Sequence, residues 1–111
     1  MSETPAAPLG PFQEIWDAWD EAGAELAGKP LTHFRRATEI QFDEIDRHLA
    51  EDNADAAARE AVDLISVALN TLRRLGYQPD QIAEIARMRA RQRMKGQAQE
   101  ILAKYERQYG I

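Results

Sequence analysis

The amino-acid sequence predicts an all-α protein, folded as an antiparallel bundle of four to five helices. Apolar residues recur at intervals of three and four along most of its 111 residues, which is the period of an amphipathic helix. The sequence has no Asn-Gly turn and no alternating run of β-branched residues, the patterns typical of strands. Hydrophobic residues make up 44% and charged residues 30% of the chain, a composition typical of one globular domain with a single core.

Residues 1–11 are rich in proline and glycine, and we expect them to form a flexible arm in front of a single domain at residues 12–111. An apolar stripe then predicts the first amphipathic helix. Its members are Phe12, Ile15, Trp16, Trp19 and Leu26. Two interpretations of its tryptophans stay open: both belong to the core, or Trp16 or Trp19 stacks on a nucleobase.

The second predicted helix covers about residues 32–49, with Thr32 as its N-cap. Its apolar stripe comprises Phe34, Ala37, Phe42, Ile45 and Leu49. On a helical wheel, Gln41 and His48 fall inside the arc of this stripe and Glu44 lies at its edge. Burial of a polar group without a partner costs about 2–7 kcal/mol, so these three side chains need partners in the interior.

The third predicted helix is capped by Asn53 or Asp55 and ends at Gly76, and Pro79 then begins a fourth helix. The apolar arc of the third helix comprises Ala61, Val62, Leu64, Ile65, Ala68, Leu69, Leu72 and Leu75. Its opposite arc carries Glu60, Asp63, Asn70 and Arg74. A last helix has the apolar seam Ile101, Leu102, Tyr105 and Tyr109, which we expect to pack on a neighbouring helix or a second subunit.

Two polar pairs are the strongest candidates for chemistry. Gln41 and Glu44 are spaced i, i+3 on the second helix, and Glu60 and Asp63 have the same spacing on the third. If these helices pack antiparallel, three carboxylates and an amide point into one space, an oxygen-rich set suited to Mg²⁺. Two simpler interpretations remain: a solvated face for the second pair, and a buried hydrogen-bond network for the first. His48 is interpreted as a packing residue or a neighbour of the metal ligands.

The fourth helix becomes basic along its length. Its basic residues are Arg87, Arg89, Arg91, Arg93 and Lys95, with no acidic residue among them. This run has two interpretations. It is either a solvated surface, or a phosphate-binding surface from which Arg89 and Arg93 reach the phosphates of the substrate. Contact with a nucleic-acid backbone ranks lowest, because the formal net charge of −5 argues against general nucleic-acid binding.

The polar pairs also carry a family resemblance. Motifs of the form Glu-x-x-Glu followed by Glu-x-x-Asp are typical of the MazG-like, all-α NTP pyrophosphohydrolases, and this chain resembles them in Gln41-x-x-Glu44 and Glu60-Ala-Val-Asp63. The apolar stretch that follows and ends at Gly76 is similar to a helix of that family. The resemblance covers roughly residues 34–95. It departs at Gln41, which stands where the family has a glutamate.

The resemblance implies a Mg²⁺-dependent hydrolase, with Mn²⁺ as an alternative ion, that converts an NTP or dNTP to the monophosphate and pyrophosphate. It implies that Glu44, Glu60 and Asp63 act in catalysis and hold the metal together with Gln41. The residues assigned to the substrate are Arg89, Arg93, Lys95, Asn70 and Trp19. It also implies a homo-oligomer, either a dimer or a dimer of dimers. Because of Gln41, a catalytically impaired nucleotide-binding or structural helical module of the same fold remains the alternative.

Two further features bear on location. The chain has no cysteine, which excludes disulfides and thiolate chemistry and is typical of a reducing compartment. The sequence contains no apolar run long enough to span a membrane and no signal-peptide pattern at its start. We therefore expect a cytoplasmic protein without a membrane partner.

Overall fold

The structure, a computed structural model, describes residues 7–111, and within that range every regular element is helical, as predicted. The six α-helices are α1 (Gln13–Ala18), α2 (Gly23–Ala27), α3 (Leu31–Ala50), α4 (Ala54–Arg74), α5 (Pro79–Arg89) and α6 (Ala98–Tyr109). Short 3-10 helices occupy Gly10–Phe12 and Asp20–Ala22, and a π-helix occupies Ala90–Met94. None of the helices in this range is long and apolar enough to cross a membrane.

The first predicted helix is broken, so the prediction of one continuous helix there is wrong. α1 ends before Trp19, and a 3-10 turn leads into α2. Trp16 and Leu26 would point about 80° apart on one straight helix, whereas the break allows both side chains to be buried. Leu9, within the predicted arm, packs against the core, and residues 1–6 of that arm lie outside the described range.

α3 and α4 form the central hairpin of the molecule, and most of its predicted boundaries are confirmed. The Asn53 side chain caps α4, because its Oδ1 accepts a hydrogen bond from the backbone N–H of Ala56 at 3.1 Å. Asp52 completes the tight turn with a φ of 56°. The prediction of Thr32 as an N-cap is wrong, because α3 begins at Leu31 and Pro30 holds the cap position.

The core lies where α1, α4 and α5 meet, around the buried side chains of Trp16, Leu69 and Ile82. Arg73 fixes this junction, since its guanidinium lies 3.8 Å from the centre of the Trp16 ring and donates to the Asp20 carboxylate at 2.7 Å. As predicted, Gly76 follows the end of α4, with a φ of 95° that suits glycine, and Pro79 begins α5.

The predicted apolar stripe of α3 does not stay together in the interior. Phe34 is only 4% exposed, but Phe42 and Leu49 are 53% and 55% exposed. Gln41, Glu44 and His48 take the interior side instead and are half-buried. The Cα radius of gyration is 16.6 Å, compared with about 13 Å for a compact domain of 100 residues. The chain by itself therefore leaves much of its apolar surface uncovered.

Candidate functional site

A cleft of about 330 Å³ opens between α2, α3 and α4. The residues that line it are Trp19, Leu26, His33, Phe34, Ala37, Gln41, Asp63, Ser66, Val67 and Asn70. The hairpin turns at Asp52, so residues equally far from that turn lie at the same level, and Gln41 of α3 faces the level of Asp63 on α4. This register brings the first member of one predicted pair and the second member of the other into one cleft.

The other two members of the pairs meet one turn closer to the hairpin loop, and they meet a histidine there. Glu44, His48 and Glu60 each offer a ligand atom within 4.8 Å of the other two, and all three are half-buried. His48 Nε2 lies 3.5 Å from Glu60 Oε1. Two carboxylates and an imidazole at this spacing are suited to a divalent cation.

Two polar atoms in this region lack a protein partner. Gln41 Oε1 and His48 Nδ1 are both buried and have no hydrogen bond to any described residue. A buried acceptor without a partner costs about 1–3 kcal/mol, so such atoms call for an explanation. A bound cation would satisfy the amide oxygen of Gln41, and the chemistry of the whole donor set therefore fits a metal.

The electrostatics of the group depend on Arg47. Its guanidinium donates a hydrogen bond to Glu44 Oε2 on the same helix. That hydrogen bond, together with the charge of Arg47, holds the pKa of Glu44 below its ordinary value. Glu44 therefore stays ionised into more acidic solution, as a metal ligand must. Arg47 also competes with any cation for the Glu44 carboxylate.

The remaining predicted residues fall into three places. Trp19 and Asn70 line the cleft, and Asn70 is only 6% exposed although it is polar. Arg89 and Arg93 line a different groove, of about 360 Å³, together with Ile85, Met88 and Gln92. Lys95 ends the π-helix. In the described part of the chain, neither lysine nor arginine lines the cleft.

The structure adds residues that the sequence had not assigned to the site. His48 joins the two glutamates, and His33, Phe34 and Ser66 line the cleft. The position of His48 inside the apolar arc of α3 was a usable signal, but that position is equally compatible with a packing residue. The solvated-face interpretation does not describe Glu60, whose side chain is 22% exposed and lies against His48, while Asp63 is exposed at the cleft.

The chain was compared with protein-family models, with curated proteins and with solved structures, and none of them matches. The function therefore has to be argued from the site itself.

Proposed function

We propose that this protein is a Mg²⁺-dependent nucleoside triphosphate pyrophosphohydrolase with a MazG-like fold. The observation that carries the proposal is the α3–α4 hairpin, in which Gln41 and Asp63 line one cleft and Glu44 and Glu60 meet beside it. The adjoining cleft of about 330 Å³ lies within the size range of small-molecule sites. A metal-ligand set next to a pocket with aromatic walls is the arrangement that hydrolysis of a nucleotide requires.

In this proposal Glu44 and Glu60, which meet at His48, bind Mg²⁺, and Asp63 and the uncharged Gln41 amide oxygen, one helical turn away at the cleft, would complete the ligand set. The bound ion would neutralise phosphate charge and lower the pKa of the attacking water. A carboxylate oxygen of this set that is not engaged as a ligand would accept the proton of that water. Mn²⁺ has a similar ligand preference, and it is the alternative ion.

The end of the cleft farther from the hairpin turn, which Phe34 and Asn70 line, suits a nucleobase. Trp19 is 40% exposed at the cleft, and Phe34 presents a second aromatic ring. Asn70 lines the cleft and is only 6% exposed, and its amide can both donate to and accept from a base edge. Aromatic stacking supplies affinity for a base, and the amide supplies discrimination between bases.

A catalytically impaired nucleotide-binding module of the same fold is the second candidate. It is favoured by Gln41, which brings no charge and cannot accept a proton from water. It is also favoured by the ion pair that Arg47 makes with Glu44, because that pair neutralises charge that would otherwise attract a metal ion.

The test is pyrophosphate release across a panel of NTPs and dNTPs with Mg²⁺ or Mn²⁺. We expect metal-dependent release by the wild type and its loss in Glu60→Gln. The matched control is Glu39→Gln on α3, which removes the same charge from an exposed carboxylate paired with Arg36. Thermal unfolding with the same ligands separates the two candidates, because a ligand at 100 times its Kd stabilises the fold by about 2.7 kcal/mol. Stabilisation without pyrophosphate release supports the binding module. The absence of both stabilisation and release refutes both candidates.

A further inference from the structure

His48 brings a nitrogen ligand to the loop end of the α3–α4 hairpin. It lies one helical turn after Glu44 on α3, and Glu60 faces it from α4. These three residues are called the loop-end trio below. The His48 side chain is only 15% exposed, and its buried Nδ1 has no hydrogen bond to any residue in the range 7–111. A buried imidazole with an unpartnered nitrogen, next to two carboxylates, calls for an explanation.

The distances in the loop-end trio suit a shared ion better than a direct hydrogen bond. His48 Nε2 lies 3.5 Å from Glu60 Oε1, which is longer than the roughly 2.7–3.2 Å of an N–H···O hydrogen bond. Two ligand atoms that each lie about 2.1 Å from one ion, at a tetrahedral angle, are about 3.4 Å apart. The other separations are at most 4.8 Å, so small side-chain movements bring the third ligand to the same ion.

An imidazole among the carboxylates changes which ion the trio prefers. Mg²⁺ takes an octahedral set of oxygen ligands and keeps several of its waters, whereas imidazole nitrogen suits ions such as Ni²⁺ and Zn²⁺. For a given set of nitrogen and oxygen ligands, affinity rises from Mn²⁺ through Co²⁺ to Ni²⁺. The trio supplies two oxygen ligands and one nitrogen ligand, so its chemistry favours these later ions over Mg²⁺.

The backbone of the turn fixes His48 relative to α4. The backbone N–H of Asn53 donates to the His48 carbonyl at 2.8 Å, and the Asn53 side chain caps the first turn of α4. Both sides of the turn are thereby hydrogen-bonded to the helix that carries Glu60. A ligand set on such a rigid backbone loses little conformational entropy when an ion binds. The trio is therefore preorganised across the two helices.

Arg47 has a second carboxylate available when Glu44 turns to an ion. Its guanidinium is hydrogen-bonded to Glu44, and its Nη1 also lies 3.8 Å from Glu51 Oε1. The Arg47 side chain is exposed, and ion pairs of exposed side chains contribute little to stability. Exchange of Glu44 for Glu51 therefore costs little, and the pair between Arg47 and Glu44 leaves the trio open to an ion.

We infer that Glu44, His48 and Glu60 form a site for a late first-row divalent ion, Co²⁺, Ni²⁺ or Zn²⁺, with His48 as a ligand. The motifs that carry the family resemblance contain no histidine, so this ligand goes beyond that resemblance. The inference concerns binding and holds whether or not the protein hydrolyses a nucleotide. Because Glu44 and Glu60 also belong to the proposed Mg²⁺ set, an ion bound at His48 competes with Mg²⁺ there.

Calorimetric titration of the full chain, without a histidine tag, tests the preference. The sequence has two histidines and no cysteine, so His33 is the other imidazole that could bind these ions. Co²⁺ and Ni²⁺ should each bind at least about tenfold more tightly than Mg²⁺, with one ion per chain. His48→Gln should lower their affinity about tenfold. The matched control, His33→Gln, removes the other imidazole and should leave that affinity unchanged.

A second measurement locates the ion without any substitution. Zn²⁺ added to the wild type should shift the imidazole resonances of His48 in NMR spectra until one equivalent has bound, and those of His33 should stay in place. This measurement decides the question even if His48→Gln fails to fold. Glu60→Gln keeps the imidazole and removes a carboxylate ligand, so about tenfold more Zn²⁺ should be needed for the same shift.

The results separate this inference from the proposed function. Equal affinity for Mg²⁺ and Co²⁺, equal effects of His48→Gln and His33→Gln, or the absence of Zn²⁺ shifts at His48 overturns the inference. Zn²⁺ bound at His48 in a protein that releases no pyrophosphate refutes the proposed function and supports the inferred site. Mg²⁺-dependent release by a protein whose His48 resonances do not respond to Zn²⁺ refutes the inferred site alone.

Discussion

Restoring a carboxylate at position 41 is the most direct test of the proposed metal site. Gln41 lies on the level of Asp63 in the cleft, and its buried Oε1 has no partner among the described residues. Gln41→Glu would place a negative charge at that atom without changing the shape of the side chain. A unit charge a few ångströms from a divalent ion in a partly hydrated site contributes on the order of 1 kcal/mol, about fivefold in Kd. Calorimetric titration with Mg²⁺ should show this tightening.

The same substitution should destabilise the metal-free protein. The new carboxylate would be half-buried near Asp63 and Glu44, which raises its pKa in the folded state. A carboxyl group whose folded pKa lies above its unfolded value of about 4.3 destabilises the fold above that folded pKa. The penalty disappears as the pH falls below the unfolded value. With about 1.4 kcal/mol for each pKa unit, we expect a loss on the order of 1 kcal/mol at pH 7 in urea unfolding.

A control and a refuting result complete this test. Gln108→Glu adds the same charge to an exposed position of α6 and should change neither Mg²⁺ affinity nor stability by more than a few tenths of a kcal/mol. If Gln41→Glu destabilises the fold and leaves Mg²⁺ affinity unchanged, Gln41 is a buried hydrogen-bonding residue and the site does not hold the metal there.

Three other substitutions probe the same hairpin. His48→Gln should weaken Co²⁺ or Ni²⁺ binding about tenfold in calorimetry and affect Mg²⁺ much less, because imidazole suits those two ions better than Mg²⁺; equal losses would indicate a structural role. Arg47→Gln should lower the free energy of unfolding at neutral pH, measured by urea unfolding. Because Arg47 lowers the pKa of Glu44 in the folded state, the ion pair stabilises the fold only while Glu44 is ionised, so the difference from the wild type should vanish as acid protonates Glu44. Asn53→Ala should cost about 1 kcal/mol of unfolding free energy, because the backbone N–H of Ala56 loses its cap; an unchanged urea midpoint would contradict the capping geometry.

Local chemistry explains which parts of the fold could be predicted from the sequence. Asn53, Gly76 and Pro79 act through their own backbone or side chain, so the ends of α4 and the start of α5 were predictable. The break at Trp19 was not predictable, because it depends on tertiary packing. It allows Trp16 to be buried against α4 and α5 while Leu26 is buried as well. Helical periodicity also cannot tell which of the apolar residues on a helix the chain will bury, and Phe42 and Leu49 were misplaced for that reason.

Part of the candidate site could be predicted from local patterns, and part could not. The i, i+3 spacing fixes which face of a helix each polar pair occupies, and a short turn at Asp52 fixes the register of α3 against α4, so the meeting of Glu44 with Glu60 was predictable. His48 lies one turn further along the same face, but an inward-facing histidine also suits simple packing, and only the three-residue geometry distinguishes the two roles. The position of Arg89 and Arg93 depends on where α5 leads the chain, which no local pattern encodes.

The arrangement of α3 links the polar site to an exposed apolar face. Its interior side carries Gln41, Glu44 and His48, and burying polar groups between two helices gains less free energy than burying apolar ones. Its outward side carries Phe42 and Leu49, each more than half exposed. Burying a side chain of this kind contributes about 1.5–3 kcal/mol, so the exposure of Phe42 and Leu49 forgoes stabilisation that an apolar interior face of α3 would have supplied. The polar cleft and the exposed apolar face are therefore two consequences of one sequence pattern on α3.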